Sequence, residues 1–297
     1  MKFGVCLPNY GIELTAEGLT KFTMLAEELG FDSAWTTDHI LMPKASNTPY
    51  ESIYESIGTL FYVAAKTGRI KLGVSSLVMG MRNPVLVAKE LSTLDNLSMG
   101  RVILATGAGW NRPEFENLGA DFHNRGRRLN DSIVLIRKLW ESKGEAVSYK
   151  SRFFNVSNAV FLPEPFQERL TIWIAGSSDA AMKRAARLGD AWHPNVLPLD
   201  TFSALVKKFR QLHKDLPICV RIAVLPGLRE NEYTGPQGEK RFALTGKRDS
   251  DLAALEQLRS IGVSYAILAL NPTGNVPISE QVRVMREMAE VVKSLKD

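Results

Sequence analysis

Cysteine is scarce in this chain. Only two, Cys6 and Cys219, occur among its 297 residues, and both fall in short apolar segments that we predict to be strands. Two cysteines exclude a disulfide framework and fit a reducing compartment, so we expect a cytoplasmic protein. A chain of this length buries enough surface on folding to be stable without cross-links.

Long hydrophobic runs are missing as well. Although 45% of the residues are hydrophobic, no apolar run approaches the roughly 20 residues that a membrane-spanning helix needs. Residues 1–5 lead directly into a predicted strand, without the apolar core or the cleavage pattern of a signal peptide. We therefore expect neither a membrane partner nor an export signal.

A strong excess of one charge is also absent, since the formal net charge is only +5. Basic clusters at 125–128, 183–184 and 207–208 fall in predicted helices, where a solvated face is the ordinary explanation. They lack the interleaved aromatic residues and the zinc-ligand spacing of nucleic-acid-binding proteins, so we expect no nucleic-acid partner. An anionic small-molecule ligand is compatible with the positive balance.

The sequence does contain a regular alternation of short apolar segments with helical ones. Parallel strands need crossover helices between them. Eight such units favour a closed (β/α)8 barrel, the TIM-barrel form of the α/β class, over an open doubly wound sheet. We expect this barrel to form a single domain over residues 1–297. The predicted strands are 3–8, 33–38, 70–79, 101–106, 171–176, 190–193, 218–225 and 264–270.

Two segments interrupt this alternation. Residues 149–161, after strand four, are polar and aromatic without a helical period, and we predict an inserted hairpin or lid. Residues 226–246, after strand seven, form a polar insertion that contains glycine. We expect both insertions to shape the substrate end of a site. The loop 39–50 is long for a compact domain, which is typical of a functional loop.

In a barrel of parallel strands the carboxyl ends of all strands meet at one mouth, where enzymes of this fold keep their active sites. The second strand ends there in Asp38 and His39. Two interpretations are equally open. Asp38 and His39 could belong to an active site, or Asp38 could cap the next segment and His39 could be an ordinary loop residue. Imidazole suits both roles. The other residues at strand ends are Asn9, Met79, Arg82, Asn83, Gly107, Trp110, Asn111, Gly176, Ser177, His193 and Asn195.

This set of residues excludes several kinds of chemistry. It lacks the cluster of carboxylates and histidines that would bind a divalent metal, so we expect no metal site. It contains no Gly-x-Ser-x-Gly nucleophile motif and no Walker-type phosphate loop. Aromatic residues, amides and glycine-rich turns instead favour a pocket for a flat conjugated ligand with an anionic tail, in which a cofactor supplies the chemistry.

Several short motifs, taken in their order along the chain, indicate a resemblance to a known family. Over nearly its whole length, the chain resembles the bacterial-luciferase-like superfamily, and within it the branch of coenzyme F420-dependent oxidoreductases. The motifs are Phe-Asp-Ser-Ala-Trp at 31–35 followed by Asp38-His39, 70–73, Arg-Asn-Pro-Val at 82–85, 94–101, Gly-Ala-Gly-Trp at 107–110, Glu114-Phe115, 125–129, 173–176 and 186–192.

The resemblance implies where a cofactor binds. A non-prolyl cis peptide at Ser75–Ser76 would bulge against the face of its ring, the alternative being an ordinary trans strand. Gly107 and Ala108 would also bind the cofactor. Gly176, Ser177 and Ser178 would bind its phosphate at the start of a helix, although either serine could simply cap that helix.

The resemblance also implies roles for catalysis and for the substrate pocket. His39 would lie beside the reactive ring as a hydrogen-bond partner or proton donor during hydride transfer. Asp38 would orient His39 or hold the strand end. Trp110 could instead be core, and His193 could instead be structural. Residues expected to line the substrate pocket are Asn9, Trp110, Asn111 and His193.

The implied function is transfer of a hydride between coenzyme F420 and a small organic substrate. The alternatives are an FMN-dependent monooxygenase, supplied with reduced flavin by a partner reductase, and a non-catalytic flavin-binding relative. Members that oxidise sugar phosphates use a tryptophan shortly after the Asp-His pair and a glutamate after strand four. Pro43 and Ala108 stand there in this chain, which argues against that substrate. The resemblance further implies a homodimer.

Overall fold

The strands of this protein are short, and they alternate with helices along the chain. The computed structural model describes residues 1–44, 48–235 and 238–296, so parts of the predicted segments 39–50 and 226–246 lie outside the described residues. The strands are β1 (Lys2–Cys6), β2 (Ser33–Thr36), β3 (Lys71–Val78), β4 (Val102–Gly107), β5 (Ala146–Lys150), β6 (Asn155–Val160), β7 (Thr171–Ala175), β8 (Ala191–His193), β9 (Ile218–Val224), β10 (Glu232–Thr234), β11 (Lys240–Leu244) and β12 (Val263–Ala269).

Eight parallel strands within the described residues close into a barrel. Their order is β9, β12, β1, β2, β3, β4, β7 and β8, and β8 returns to β9 where Trp192 lies opposite Ile218. The predicted (β/α)8 barrel is therefore confirmed. Each predicted barrel strand occurs, although β2 ends at Thr36, which places Asp38 and His39 in the loop that follows.

Helices cover the outside of the barrel. N-cap side chains explain where several helices begin. Thr15 accepts a hydrogen bond from the Gly18 amide, and Asn83 accepts one from the Val85 amide. The helices are α1 (Ala16–Glu28), α2 (Ser56–Ala64), α3 (Pro84–Leu97), α4 (Arg112–Asn117), α5 (Arg125–Trp140), α6 (Asp179–Leu188), α7 (Leu199–Leu212), α8 (Arg248–Ile261) and α9 (Ile278–Lys296), with 3-10 turns at Met79–Met81 and Phe122–Asn124.

The apolar core has two layers, because successive side chains of a strand point to opposite faces. The larger layer lies between strands and helices. A smaller cluster lies inside the barrel and includes Trp35, Trp173 and Tyr265. Both cysteines belong to this inner cluster as free thiols, and burial raises the pKa of each.

Trp35 fills the interior of the barrel because glycines on both neighbouring strands leave room for its indole. A Cβ added at Gly73 would lie 2.3 Å from Trp35 Cζ3, and one added at Gly4 would lie 2.6 Å from Trp35 Nε1. Trp173 packs against the indole, with ring centroids 4.8 Å apart. This packed layer fills the barrel below the carboxyl ends of the strands, where active sites of this fold lie.

The two insertions have different positions. β5 and β6 form the predicted hairpin, but it packs outside the barrel, where Arg128 of α5 lies over the Phe154 ring. No described residue of 149–161 lines the mouth cavity, so the expectation that this segment shapes the site is wrong. The second insertion contains the β10–β11 hairpin, whose β11 extends the sheet beside β9.

No described helix is both long and apolar enough to cross a lipid bilayer.

Candidate active site

A cavity of about 670 Å³ opens at the carboxyl ends of the barrel strands. This volume lies in the range of cavities that bind cofactors and other small molecules. Glu239, just before β11, and Arg241 of β11 complete the wall beside the barrel residues. The residues predicted to lie at the site that line this cavity are Asp38, His39, Ser75, Ser76, Gly107, Ala108, Trp110, Gly176, Ser177, Ser178 and His193.

His39 is held by a buried carboxylate from α4. Its Nδ1 lies 2.8 Å from Glu114 Oε2, and the two side chains are only 6% and 2% exposed. Glu114 Oε1 accepts a hydrogen bond of 2.7 Å from the Ile40 amide. The carboxylate accepts here, so Nδ1 carries a proton and donates a hydrogen bond to Glu114.

Two aromatic residues enclose the His39 ring. Tyr50 stacks on it with centroids 4.4 Å apart, and Trp110 meets it edge-on at 5.8 Å. Both aromatic side chains also line the cavity, and a substrate contact for Trp110 stays a prediction. Nε2 makes no hydrogen bond to any described residue, which leaves it available to a ligand.

Asp38 does not orient His39. Its Oδ1 accepts hydrogen bonds from Ser56 Oγ and from Arg82, and its Oδ2 accepts one from the Val78 amide. These bonds tie the end of β2 to the end of β3 and to α2. These contacts show the alternative, in which Asp38 holds the strand end and does not orient His39. A catalytic role for Asp38 stays a prediction.

The peptide bond between Ser75 and Ser76 is cis, as predicted. Arg221 of β9 donates from Nη1 to the Ser75 carbonyl at 2.7 Å, and its Nη2 donates to Thr37 Oγ1 at 3.1 Å. Arg221 forms no ion pair with a described carboxylate. An arginine is always charged in proteins, so the cavity wall contains an unpaired cation beside the cis bond.

His193 contacts the side chain of Ser75. Its Nδ1 donates to the Cys219 carbonyl at 2.6 Å, so its Nε2 must accept from Ser75 Oγ, 2.8 Å away. Burial lowers the pKa of His193 from 6.5 to about 4. The imidazole is therefore neutral at pH 7, and it fixes the direction of the Ser75 hydroxyl.

Gly176, Ser177 and Ser178 form the turn between β7 and α6. Gly176 has a φ of +118°, a conformation that glycine adopts without strain. Ser178 Oγ accepts a hydrogen bond from the Ala181 amide at 3.2 Å, so it caps α6. All three residues also line the cavity, so the cap and an anion-binding turn are compatible.

Two predicted pocket residues are structural. Asn9 is fully buried, donating to the Thr37 carbonyl and accepting from the Thr37 amide, which joins the ends of β1 and β2. Asn111 caps α4 by accepting a hydrogen bond from the Glu114 amide. Neither side chain lines the cavity. Their placement in the substrate pocket is not supported. The Asn9 amide binds the Thr37 backbone, and the Asn111 amide binds the Glu114 amide and Met42 Sδ.

Three residues of the site have roles that were not predicted from the sequence. Glu114 was noted only as part of a motif, and nothing local shows that it reaches His39, 75 positions away. Tyr50 lies at the end of the predicted loop 39–50, where no sequence pattern indicates a role for it. Arg221 gave a detectable signal, because it is a single charge within the apolar strand Ile218–Val224.

Comparison with known proteins adds to this geometry. The sequence profile of the family described as luciferase-like monooxygenase matches residues 1–229. The phthiodiolone/phenolphthiodiolone dimycocerosates ketoreductase of Mycobacterium kansasii is 33% identical over 208 residues, covering 63% of this chain and 56% of that protein. The F420-dependent glucose-6-phosphate dehydrogenase of Amycolatopsis mediterranei is 32% identical over 180 residues, covering 59% and 52%. This chain thus spans about half the length of these relatives.

Solved structures share the fold along the entire chain. Monooxygenase RslO1 from Streptomyces bottropensis has a TM-score of 0.82 at 22% identity, covering 100% of both chains. An F420-dependent secondary alcohol dehydrogenase in complex with an F420-acetone adduct has a TM-score of 0.81 at 17% identity, covering 98% of both. At such identities the likeness establishes the barrel and not the reaction.

Proposed function

Because the chain belongs to the luciferase-like monooxygenase family, we propose that this oxidoreductase transfers a hydride between coenzyme F420 and a small organic substrate. The observation that carries the proposal is the His39–Glu114 pair, whose free Nε2 is at the wall of a cofactor-sized cavity. A named F420-dependent enzyme at 32% identity supports the choice of cofactor.

The residues present fit such a cofactor. Bare backbone at Gly107 and Gly176 leaves space between β3, β4 and β7, and a Cβ added at Gly107 would lie 3.1 Å from Ser76 Oγ. Ser177 and Ser178 would hold a phosphate at the start of α6. The deazaflavin ring of F420 would accept or supply the hydride, while the protein supplies orientation and proton transfer.

His39 acts as the acid or base in this proposal. Its lone pair at Nε2 can take the proton of a substrate hydroxyl when a hydride leaves the adjacent carbon, and can return it in the reverse direction. Glu114 stabilises the imidazolium that forms and keeps the ring in one orientation, because it binds the proton on Nδ1. Trp110 and Tyr50 exclude water from around the imidazole.

The cavity wall also bears on the substrate class. Ala108 lines the cavity and provides no carboxylate where sugar-phosphate dehydrogenases of the family have one. Glu114 does not replace it, because its two oxygens are bonded to His39 and to the Ile40 amide. We therefore expect an alcohol or carbonyl substrate other than a sugar phosphate.

The test begins with binding. Protein is titrated with F420 and, separately, with FMN, and the absorbance and fluorescence of each ring are followed. We expect saturable binding of F420 and weaker binding of FMN. Tight binding of FMN without binding of F420 would contradict the proposal and favour the FMN-dependent monooxygenase.

Turnover then separates an enzyme from a non-catalytic binder. Wild type, His39→Ala and Glu114→Gln are mixed with F420 and a panel of secondary alcohols, and the oxidised cofactor is followed by its absorbance. We expect reduction by wild type, a loss of about 100-fold or more in kcat in His39→Ala, and a smaller loss in Glu114→Gln, with cofactor affinity retained. Binding without turnover on any alcohol or ketone would support the binding-only alternative. An unchanged kcat in His39→Ala would refute the role of His39.

A further inference from the structure

Arg221 carries a positive charge that the described protein leaves without a counter-ion. It is the one charged residue of the otherwise apolar strand β9, and its partly buried side chain lines the mouth cavity. Its guanidinium donates to the Ser75 carbonyl at 2.7 Å, to Thr37 Oγ1 at 3.1 Å and to the Tyr10 hydroxyl at 3.5 Å. All three acceptors are neutral, and Nε has no hydrogen-bond partner among the described residues.

The ionisable groups that interact with this guanidinium do not supply the missing charge. They include Cys6, Tyr10 and Tyr50, and burial raises the pKa of all three. The thiol and both phenols are therefore uncharged at pH 7. Because an arginine does not lose its proton in proteins, the cation favours an anion that enters the cavity.

The carboxylates of the described cavity wall are already paired with other arginines. Asp38 pairs with Arg82, and Glu239 pairs with Arg241. In the described part of the chain, neither carboxylate forms an ion pair with Arg221. The wall thus contains two different cations, since Arg241 is neutralised by the protein itself and Arg221 is not.

A series of contacts links Arg221 to the proposed acid–base group. Tyr50 stacks on His39 with centroids 4.4 Å apart, and Tyr10 meets Tyr50 edge-on at 5.1 Å. The Tyr10 hydroxyl accepts a hydrogen bond from Arg221. Thr37, another acceptor for Arg221, stands two residues before His39. The cation and the imidazole therefore border neighbouring parts of one cavity, where a single small molecule would contact both.

The cations near the proposed phosphate site are different residues. Arg184 belongs to α6, the helix that begins after Ser178, and Arg125 begins α5. None of the hydrogen bonds of Arg221 goes to the turn at 176–178. The charge of Arg221 is therefore left for a second anion, on the side of the cavity where His39 lies.

We propose that Arg221 binds a carboxylate of the substrate, which makes the substrate a hydroxy acid or the corresponding oxo acid. This inference rests on the proposed function and deepens it, because it names the substrate class. A guanidinium binds a carboxylate through paired N–H groups, so the contact would also orient the carbinol carbon. In the oxidation direction the C–H bond breaks with transfer of a hydride to F420, the O–H bond breaks with transfer of its proton to His39 Nε2, and an oxo acid remains.

The test compares hydroxy acids with their primary amides, which have nearly the same shape and no charge. Short acids with the hydroxyl at the second, third or fourth carbon are supplied to the protein with F420, and loss of the oxidised cofactor is followed by absorbance. We expect at least one acid to have a KM about 30-fold below that of its amide, because the amide cannot form the charged hydrogen bonds.

Variants assign this preference to one arginine. Arg221→Gln should raise the KM of that acid about 30-fold and leave the KM of the amide and the affinity for F420 nearly unchanged. Arg221→Lys keeps the charge without the planar fork and should retain part of the preference. Arg241→Gln is the matched control, because Glu239 already neutralises that arginine, and it should change acid and amide alike.

Binding without turnover gives a second readout. Carboxylates that lack the hydroxyl group should raise the melting temperature of the wild type, whereas their amides should not. Arg221→Gln should abolish this difference. The melting temperature of the free variant shows that it is folded before its KM values are compared.

Equal KM values for every acid and its amide would overturn the inference and leave the proposed function intact. A loss of F420 affinity in Arg221→Gln, with the preference for the acid retained, would do the same, because the charge would then serve the cofactor. Failure of F420 to bind the wild type would overturn the proposed function and, with it, the substrate class.

Discussion

At the scale of single residues, hydrogen bonds to carbonyl and carboxylate oxygens fix where each imidazole carries its proton. His39 is bound at Nδ1 by Glu114 and His193 is bound at Nδ1 by the Cys219 carbonyl. The partners differ in charge. Burial beside a neutral carbonyl lowers the pKa of His193 and keeps its ring neutral at pH 7.

The depressed pKa of His193 predicts a pH-dependent stability. Below pH 6.5 the unfolded chain binds a proton at this residue, but the folded chain does so only near its pKa of about 4. Stability from this residue is thus present above pH 6.5 and is lost as the pH falls towards 4. Between pH 7 and pH 5 the loss is about 2 kcal/mol. Urea unfolding at the two pH values should show it.

His193→Gln provides the comparison, because glutamine keeps a donor and an acceptor without titrating. The free energy of unfolding of this variant should fall by about 2 kcal/mol less than that of wild type over the same interval. The other histidines contribute equally to both proteins. Identical pH dependence in the two would mean that His193 does not remain neutral in the fold.

At the scale of secondary-structure elements, the short helix α4 places the carboxylate that holds His39. Asn111 caps this helix through the Glu114 amide, and Glu114 extends from the first turn back to the loop after β2. A six-residue helix has little stability of its own. The first turn of α4 therefore depends on the Asn111 cap, and the position of the Glu114 side chain depends on that first turn.

Asn111→Ala should accordingly affect both stability and turnover. Loss of the cap costs about 1 kcal/mol and should lower the melting temperature by about 2 °C. Thr15→Ala removes the corresponding cap from α1, far along the chain from the site, and should lower the melting temperature similarly with kcat unchanged. Asn111→Ser should restore both properties. Equal kcat in Asn111→Ala and Thr15→Ala would show that α4 does not need its cap to place Glu114.

Sequence patterns predicted the elements better than the contacts between them. The barrel strands follow from local apolar runs, and the Pro84 and Thr15 starts follow from local capping chemistry. The Glu114–His39 contact could not be predicted in this way, since it joins residues 75 positions apart. Asn9 was expected in the substrate pocket and Asp38 was expected to orient His39, because both stand at strand ends. A strand end also needs partners for its own backbone, and these two side chains supply them.

At the scale of the whole molecule, one outer face is apolar. Leu86 and Leu97 of α3 are 58% and 70% exposed, and Leu162 and Phe166 are 56% and 60% exposed. The two segments are adjacent, because Ser92 donates to the Pro163 carbonyl. Exposed apolar side chains in adjacent segments are typical of protein interfaces. The homodimer stays a prediction, and we propose these residues as its interface.

We expect a homodimer that buries this face. Light scattering after size exclusion should give about twice the chain mass of 33.0 kDa. Leu86→Glu/Leu97→Glu should give the mass of one chain, because carboxylates would have to be buried without partners. Met24→Glu, at a 51% exposed position on α1, is the control and should remain dimeric. A monomeric wild type, or a dimeric double variant, would refute the assignment of this face.

Glu114 couples the orientation of His39 to the position of the loop that follows β2. One carboxylate oxygen holds the imidazole and the other holds the first amide of the following loop, while Tyr50 at the far end of that loop covers the same ring. Displacing the start of the loop would therefore release the acid–base group at the same moment. The orientation of the acid–base group therefore depends on the position of this loop start.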